Sequence, residues 1–261
     1  KNLPTAEVLA KSRAYASEQV ERQKKDFIRL GVLGDWDNPY LTMDFKTEAD
    51  IMRALGDIYK NGYLYQGSKP VHWCVDCGSA LAEAEVEYED IVSTPIDVAF
   101  EIVSSPIPEL VGAHAVIWTT TPWTIPVNQA LAYGAEIEYW LYEVTGVADQ
   151  MGVDHLIGLR LLIAPDLMPA CAERSTLELK LIDGMKLRGS DLAGTIARHP
   201  MHHLGGFFAE PRPFLPGDFV TTDSGTGLVH MAPDHGEDDF ELCKAHGLNP
   251  KFAVEGDGKY R

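Results

Sequence analysis

Beyond Gly62 the apolar residues stop recurring at helical spacing and begin to alternate, and this change of period bounds what the chain can fold into. Ile96, Val98, Phe100 and Ile102 alternate with polar or small residues. So do Ile137, Tyr139 and Leu141, and then Leu177, Leu179 and Leu181, which lead into the turn pair Asp183-Gly184. Alternation places one set of side chains on one face of a strand, so each run needs a facing layer to cover it. Ala115 to Trp118 is a short apolar run, and further short strands are expected at Phe219–Thr222 and Gly227–His230. Many short strands cut by Gly and Pro turns, with few helices, predict a mainly β chain with some α (the α+β class) built on a closed β-barrel.

Before Gly62 the pattern is helical. Residues 5–30 carry a loose apolar face of Val8, Leu9, Tyr15, Val20, Phe27 and Ile28, with Thr5 as the expected cap. Thr47 with Asp50 resembles a capping box for a second helix, which places Ile51, Leu55, Ile58 and Tyr59 on one face and stops at Asn61-Gly62. A last helix is expected from Asp238 to His246, with Gly247 just beyond it. The sequence contains no internal repeat and no low-complexity tract.

Charge restricts the partners. With 39 acidic against 22 basic residues the net charge is −17 over 261 residues. Gripping nucleic acid by bulk electrostatics needs clustered Lys and Arg, so an RNA partner would have to draw most of its affinity from elsewhere. Four cysteines, two of them isolated, make no disulfide scaffold at this size and favour a reducing cytoplasm. No apolar stretch is long enough to span a membrane, no secretory leader is legible, and both ends read as cut from a longer chain.

Four stretches carry chemistry-bearing residues. His72-Trp73-Cys74-Val75-Asp76-Cys77-Gly78 has the shape of a zinc knuckle, with Cys74 and Cys77 presented from one tight turn. Structural zinc wants four ligands; His72 is a third candidate and nothing obvious supplies a fourth, so this is half a site. In Trp118-Thr119-Thr120-Thr121-Pro122-Trp123-Thr124, three threonines after an apolar run and a Pro-interrupted turn would expose hydroxyls and amides able to hold a carbonyl or a water. The competing reading is β-propensity alone. In the run from Gly225-Thr226-Gly227 to Asp239, the glycines allow a close backbone approach to a ligand, His230 ends a strand, and a loop dense in His, Asp and Glu follows. Asp238 and Asp239 fall in the first turn of a helix, where acids offset the dipole with no function required. A metal site at His230, Asp234, His235 and Asp239 is a further reading of the same loop. The acidic stretch Glu83 to Asp90 reads as a solvated face.

These segments, in this order, closely resemble isoleucyl-tRNA synthetases. The resemblance rests on Lys25 to Trp36, Lys69 through Glu87, Trp118 to Pro126 and Gly225 to Asp239, and it is thin between about residues 140 and 215. The Thr-rich turn together with the Gly-Thr-Gly block resembles the editing insertion of the Ile, Val and Leu enzymes. His230 and the Ala-Pro-Asp-His-Gly run resemble the isoleucine member. The resemblance implies that residues 1–68 are a helical remnant flanking the catalytic core. It makes 69–92 the Cys-x-x-Cys hairpin and 93–261 the editing domain, a deacylase for valine mischarged onto the 3′ end of the isoleucine tRNA. It implies that Asp239 holds the substrate's α-ammonium, with Asp238 beside it. Thr119, Thr120 and Thr121 would line the ester and the attacking water, while Trp118, Trp123, Thr124 and His230 shape the pocket. No cofactor is implied for editing beyond a structural zinc. ATP belongs to the whole synthetase, and neither its His-x-Gly-His nor its Lys-Met-Ser-Lys-Ser signature occurs here. Two rival readings are a tRNA-docking module without turnover and a metallohydrolase on the His230–Asp239 loop.

Overall fold

The computed structural model describes residues 3–148 and 154–261, and within them the chain divides into two compact units, Lys1–Ser68 and Lys69–Arg261. The first holds helix α1 (Thr5–Arg29) and helix α2 (Phe45–Lys60). Neither helix buries a residue, so the apolar faces legible in the sequence are exposed. Arg13 joins the two helices by donating to Met43 O (2.5 Å) and to the Glu48 carboxylate, with its guanidinium over the Phe45 ring. Both expected caps are corrected. Pro4 precedes the first helical residue, Thr5, and makes no side-chain cap bond; α2 starts two residues before Thr47, behind Asp44. Asp50 pairs instead with Lys46 and Arg53 on the helix surface. The stop at Asn61-Gly62 forms, with Gly62 at φ +79°, a conformation glycine adopts without steric cost.

The second unit begins with a small antiparallel hairpin, β1 (Trp73–Cys74) and β2 (Ser79–Ala80). Its body is a nine-stranded mixed sheet of β3 (Ile96–Ser104), β4 (His114–Thr119), β5 (Ala130–Tyr133), β6 (Glu138–Val147), β7 (Arg160–Ile163), β8 (Leu177–Arg188), β9 (Ile196–Arg198), β10 (Pro211–Pro216) and β11 (Leu228–Met231). The order is β11-β5-β10-β9-β3-β4-β7-β6-β8, with parallel pairs at β10–β5 and β4–β7. Closure of the expected barrel is not seen as strand pairing: among the described residues β11 and β8 are the two ends of this order and do not pair. The sheet nevertheless curls. Thr226, just before β11, donates to Val116 O of β4 (2.5 Å) and accepts from the Ala164 amide (2.9 Å), so one end strand is folded back over the middle.

The main core fills that curl with Phe100, Ile102, Ile117, Leu131, Tyr139, Leu141 and Leu162. Phe100, Ile102, Tyr139 and Leu141 are inward residues of the alternating runs, and each of the seven contributes about 1.5–3 kcal/mol when fully buried. Helix α3 (Met168–Ser175) sends Cys171 into a second cluster with Tyr142 and Ile163, and helix α4 (Glu237–Ala245) sends Cys243 into a third with Ala132, Leu215 and Met231.

Two local expectations change and a third holds. Phe219–Thr222 is a turn, closed by Val220 N–H on Gly217 O, and not a strand. Asp183-Gly184 does not end its strand but lies in an irregularity inside β8, where the register against β6 jumps between Trp140↔Lys186 and Tyr142↔Leu181. The acidic stretch opens with a 3₁₀ turn, Glu83–Glu85, and is exposed.

Candidate functional site

The Thr-rich segment leaves β4 at Thr119 and runs straight into a 3₁₀ turn over Pro122–Val127. Pro122 and Pro126 fix φ and remove two amide donors, so side chains add to the backbone bonds of Thr124 N–H on Thr121 O (3.0 Å) and Asn128 N–H on Ile125 O (3.0 Å). Thr119 Oγ1 accepts from the Thr121 amide (3.1 Å) and lies 3.2 Å from Thr121 Oγ1. Thr124 donates its hydroxyl to Thr121 O (2.9 Å) and meets His230 Nε2 at 3.0 Å. Because the one Thr124 hydrogen is engaged by Thr121, the hydroxyl accepts from His230, whose hydrogen is therefore on Nε2. His230 Nδ1 is then a buried acceptor with no partner. The ring is 8% exposed, and burial, with His235 and His199 adding to it, lowers its pKa to about 4. At neutral pH it is uncharged.

His230 stands on β11, paired with Leu131 of β5. Two residues on, the Ala232 amide donates to Asp239 Oδ2 at 2.7 Å, across the base of the loop that the sequence showed as His- and Asp-dense. Desolvation raises the Asp239 carboxyl to about 6, against the pull of the Ala232 amide, with Asp238 adding a like charge. This exceeds the dipole role available to any acid in a first turn: Asp239 fastens the loop to the helix.

Thr119, Thr121, Thr124 and His230 thus form one hydrogen-bonded chain, with Asp239 fixed to the segment that follows His230. Other expected residues are placed differently. Thr120 and Asp238 are exposed. Trp118 precedes Thr119 on β4, so its ring stands on the opposite face, under the Arg174 guanidinium of α3 at 5.5 Å. Trp123 is exposed and meets His235 edge-on, ring centroids 4.7 Å apart. It borders a cleft of about 910 Å³ that His235, Glu237 and the hairpin residues Trp73 and Val75 also line. In the Gly-Thr-Gly block, Gly227 serves packing. Gly227 has φ +82°, a Cβ there would lie 2.6 Å from Ala164 Cβ, and its carbonyl accepts from Tyr139 OH at 2.6 Å.

One buried polar group at the site, Asn128, was not singled out from the sequence, and Asp234 was named there only as a metal-ligand candidate. Asn128 is fully buried, donates to Ala130 O (2.8 Å) and leaves Oδ1 unpartnered; Asp234, its side chain 4% exposed, lies 3.1 Å from His235 Nε2. The legible signal for Asn128 was a polar pair, Asn128-Gln129, inside an apolar run, where buried amides are uncommon.

The metal readings fare poorly on geometry. Among the described residues no group of three or more His, Cys, Asp or Glu side chains is arranged to hold a metal ion. At the hairpin the Cys77 amide donates to Cys74 Sγ (3.2 Å), which holds the Cys74 thiol below its ordinary value, while the adjacent Cys74 sulfur pushes Cys77 up. Two sulfurs without further ligands do not fit a complete structural zinc site.

Comparison with known proteins decides the family. The model of the class I tRNA synthetases (I, L, M and V) matches residues 1–222. The chain belongs to the class I tRNA synthetases. Isoleucine–tRNA ligase of Zymomonas mobilis is 52% identical over 261 residues, which are 100% of this chain and 26% of that protein. The Chromobacterium violaceum isoleucine–tRNA ligase is 49% identical over 267 residues, 100% of this chain and 27% of the relative. This synthetase chain therefore spans about a quarter of the length of the curated relatives it matches. Among solved structures, the P. knowlesi cytosolic leucyl-tRNA synthetase editing domain is similar at a TM-score of 0.40 and 15% identity, over 54% of this chain and 59% of that one.

Proposed function

We propose that the chain is the editing deacylase of an isoleucyl-tRNA synthetase, hydrolysing valine esterified to the 3′ end of the isoleucine tRNA. The observation that carries this reading is the neutral, buried Thr124–His230 pair joined through Ala232 to the raised carboxyl of Asp239. An aminoacyl ester presents an ammonium, an apolar side chain and an activated carbonyl, and these groups match a carboxylate, an uncharged wall and threonine hydroxyls. A synthetic site rejects a side chain one methylene too small by only about 1–3 kcal/mol, a limit for which isoleucyl-tRNA synthetase is itself the standard illustration, so a second, smaller pocket is required.

Asp239 takes the α-ammonium in a charge-assisted hydrogen bond, which orients the ester carbonyl toward Thr119 and Thr121. Water attacks that carbonyl; the bond to the ribose oxygen breaks, the ribose oxygen takes up a proton, and free valine and uncharged tRNA leave. With the ester already activated, holding water and carbonyl in register supplies the acceleration without a strong base. A His230 lowered to about 4 is too weak a base near pH 7 and is suited to forming a wall.

The rest of the synthetase supplies the ATP-dependent ligation of isoleucine and most of the affinity for tRNA. It would cover the exposed faces of α1 and α2, where Val8, Leu9, Ile51 and Ile58 stand free. Among the described residues no helix is long and apolar enough to cross a membrane, and four free cysteines suit a reducing cytoplasm. Incubation of the chain with valyl-tRNA(Ile) tests the reading: release of valine well above the uncatalysed rate supports it, and a background rate refutes it.

A further inference from the structure

His199 is fully buried, is not part of the proposed chemistry, and has every polar atom satisfied in only one protonation state. The Met201 amide donates to its Nδ1 at 3.0 Å, so that nitrogen carries no hydrogen. The hydrogen is on Nε2, which donates to Ile125 O at 2.9 Å across 74 residues of sequence. The ring meets Phe100 edge-on (5.8 Å) and Phe208 at a tilt (5.1 Å), which packs it on two sides. Ile125 O also receives the Asn128 amide at 3.0 Å, making it the anchor of the Pro122–Val127 turn. That turn has Pro at its start and Pro126 inside it, which leaves it few amide donors, among them Thr124 N–H on Thr121 O (3.0 Å) and Asn128 N–H on Ile125 O. Ile125 directly follows Thr124, whose hydroxyl meets His230.

We infer that His199 is a positioning residue of the pocket: as the neutral Nε2–H tautomer it fixes Ile125 O and thereby the Thr124–His230 contact on which side-chain discrimination depends. This rests on the editing reading for its activity readout but not for its structural one. Protonation or removal of the imidazole would free the turn at Ile125, and Thr124 Oγ1 would lose its fixed place against His230 Nε2.

The test uses the full chain with His199→Phe, which keeps the ring packing and loses both hydrogen bonds, and His199→Gln, whose amide restores a donor near the Nε2 position. For one lost buried hydrogen bond, the ratio of valyl- to isoleucyl-tRNA hydrolysis should fall roughly three- to tenfold in His199→Phe. His199→Gln should recover most of it. A merely structural role would instead lower both rates together with the folded fraction and leave the ratio unchanged, and that result in a folded His199→Phe overturns the proposal. Nitrogen NMR of the ring supplies a readout independent of turnover. In the unmutated chain His199 should show the Nε2–H tautomer, and the His230 Nε2–H signal should shift or broaden in His199→Phe but not in His199→Gln. An Nδ1–H tautomer at His199, or an unperturbed His230 in His199→Phe, overturns the inference even if the chain hydrolyses no ester. Absence of valyl hydrolysis with the expected NMR result would refute the editing reading alone.

Discussion

Asp239 is asked to do two things, and two substitutions separate them. Its carboxylate accepts the Ala232 amide at 2.7 Å, so Asp239→Ala leaves a buried donor unpaired and should cost stability of about 1–3 kcal/mol in denaturant titration. Asp239→Asn keeps an acceptor and loses only the charge. The folded pKa of about 6 lies above the ordinary 3.8, so the protonated acid is the form the fold favours. Its stabilising contribution is complete below 3.8 and is lost as pH rises through 6. A neutral Asn should therefore leave the thermal midpoint at pH 7 unchanged or higher. Turnover moves the other way. Only the ionised acid pairs with an ammonium, so kcat/KM for valyl-tRNA should fall as pH drops through about 6. Asp239→Asn should abolish that inflection and lower kcat/KM roughly ten- to hundredfold, the value of a charged hydrogen bond. A wild-type pH profile in Asp239→Asn would remove Asp239 from the ammonium site.

At the scale of elements, the turn before β11 shows which readings a sequence supports. Gly227 combines a left-handed φ of +82° with a Cβ position 2.6 Å from Ala164 Cβ. Gly227→Ala should cost about 1–2 kcal/mol for backbone strain and a further 1–3 kcal/mol for overpacking, measured as a lower midpoint in urea. A midpoint within error of the parent would show that the turn relaxes. That glycines were needed here was legible; that Gly227 faces Ala164 and Tyr139 was not, because Ala164 lies 63 residues away. The same division runs through the sheet. Ile96 to Ile102 alternated and became β3, whereas β10 carries Pro211, Pro213 and Pro216 and reads as a broken segment. Phe219 to Thr222 had strand-forming residues, but the preceding Gly217 binds Tyr133 O and turns the chain away. Within the site, Thr119, Thr121, Thr124 and His230 were named from the resemblance, and the structure connects them. Trp118 was named with them although its place one residue before Thr119 on a strand sends it to the other face. His199 left no local signal, since its function as a strut arises only where residues 125 and 199 meet.

For the molecule as a whole, what matters is what a quarter-length piece of a synthetase contains. Its 261 residues include neither nucleotide-binding signature of the family, so isoleucine-dependent ATP–pyrophosphate exchange should stay at background; a clear exchange signal would mean that activation chemistry resides here. The net charge of −17 makes tight binding of a bare tRNA body by bulk electrostatics unfavourable, so the proposed editing reading puts recognition at the aminoacylated end. On the proposed reading, selectivity then rests on a pocket walled by His230. Side-by-side hydrolysis of valyl- and isoleucyl-tRNA(Ile) by the parent chain and by His230→Ala therefore tests the account most directly. The parent should cleave the valyl ester and largely spare the isoleucyl one. His230→Ala should gain isoleucyl hydrolysis by roughly ten- to two-hundredfold, the discrimination one methylene allows, while keeping more valyl activity than Asp239→Asn. Equal loss on both esters, with the valyl-to-isoleucyl ratio unchanged, would contradict the wall and assign His230 to proton transfer.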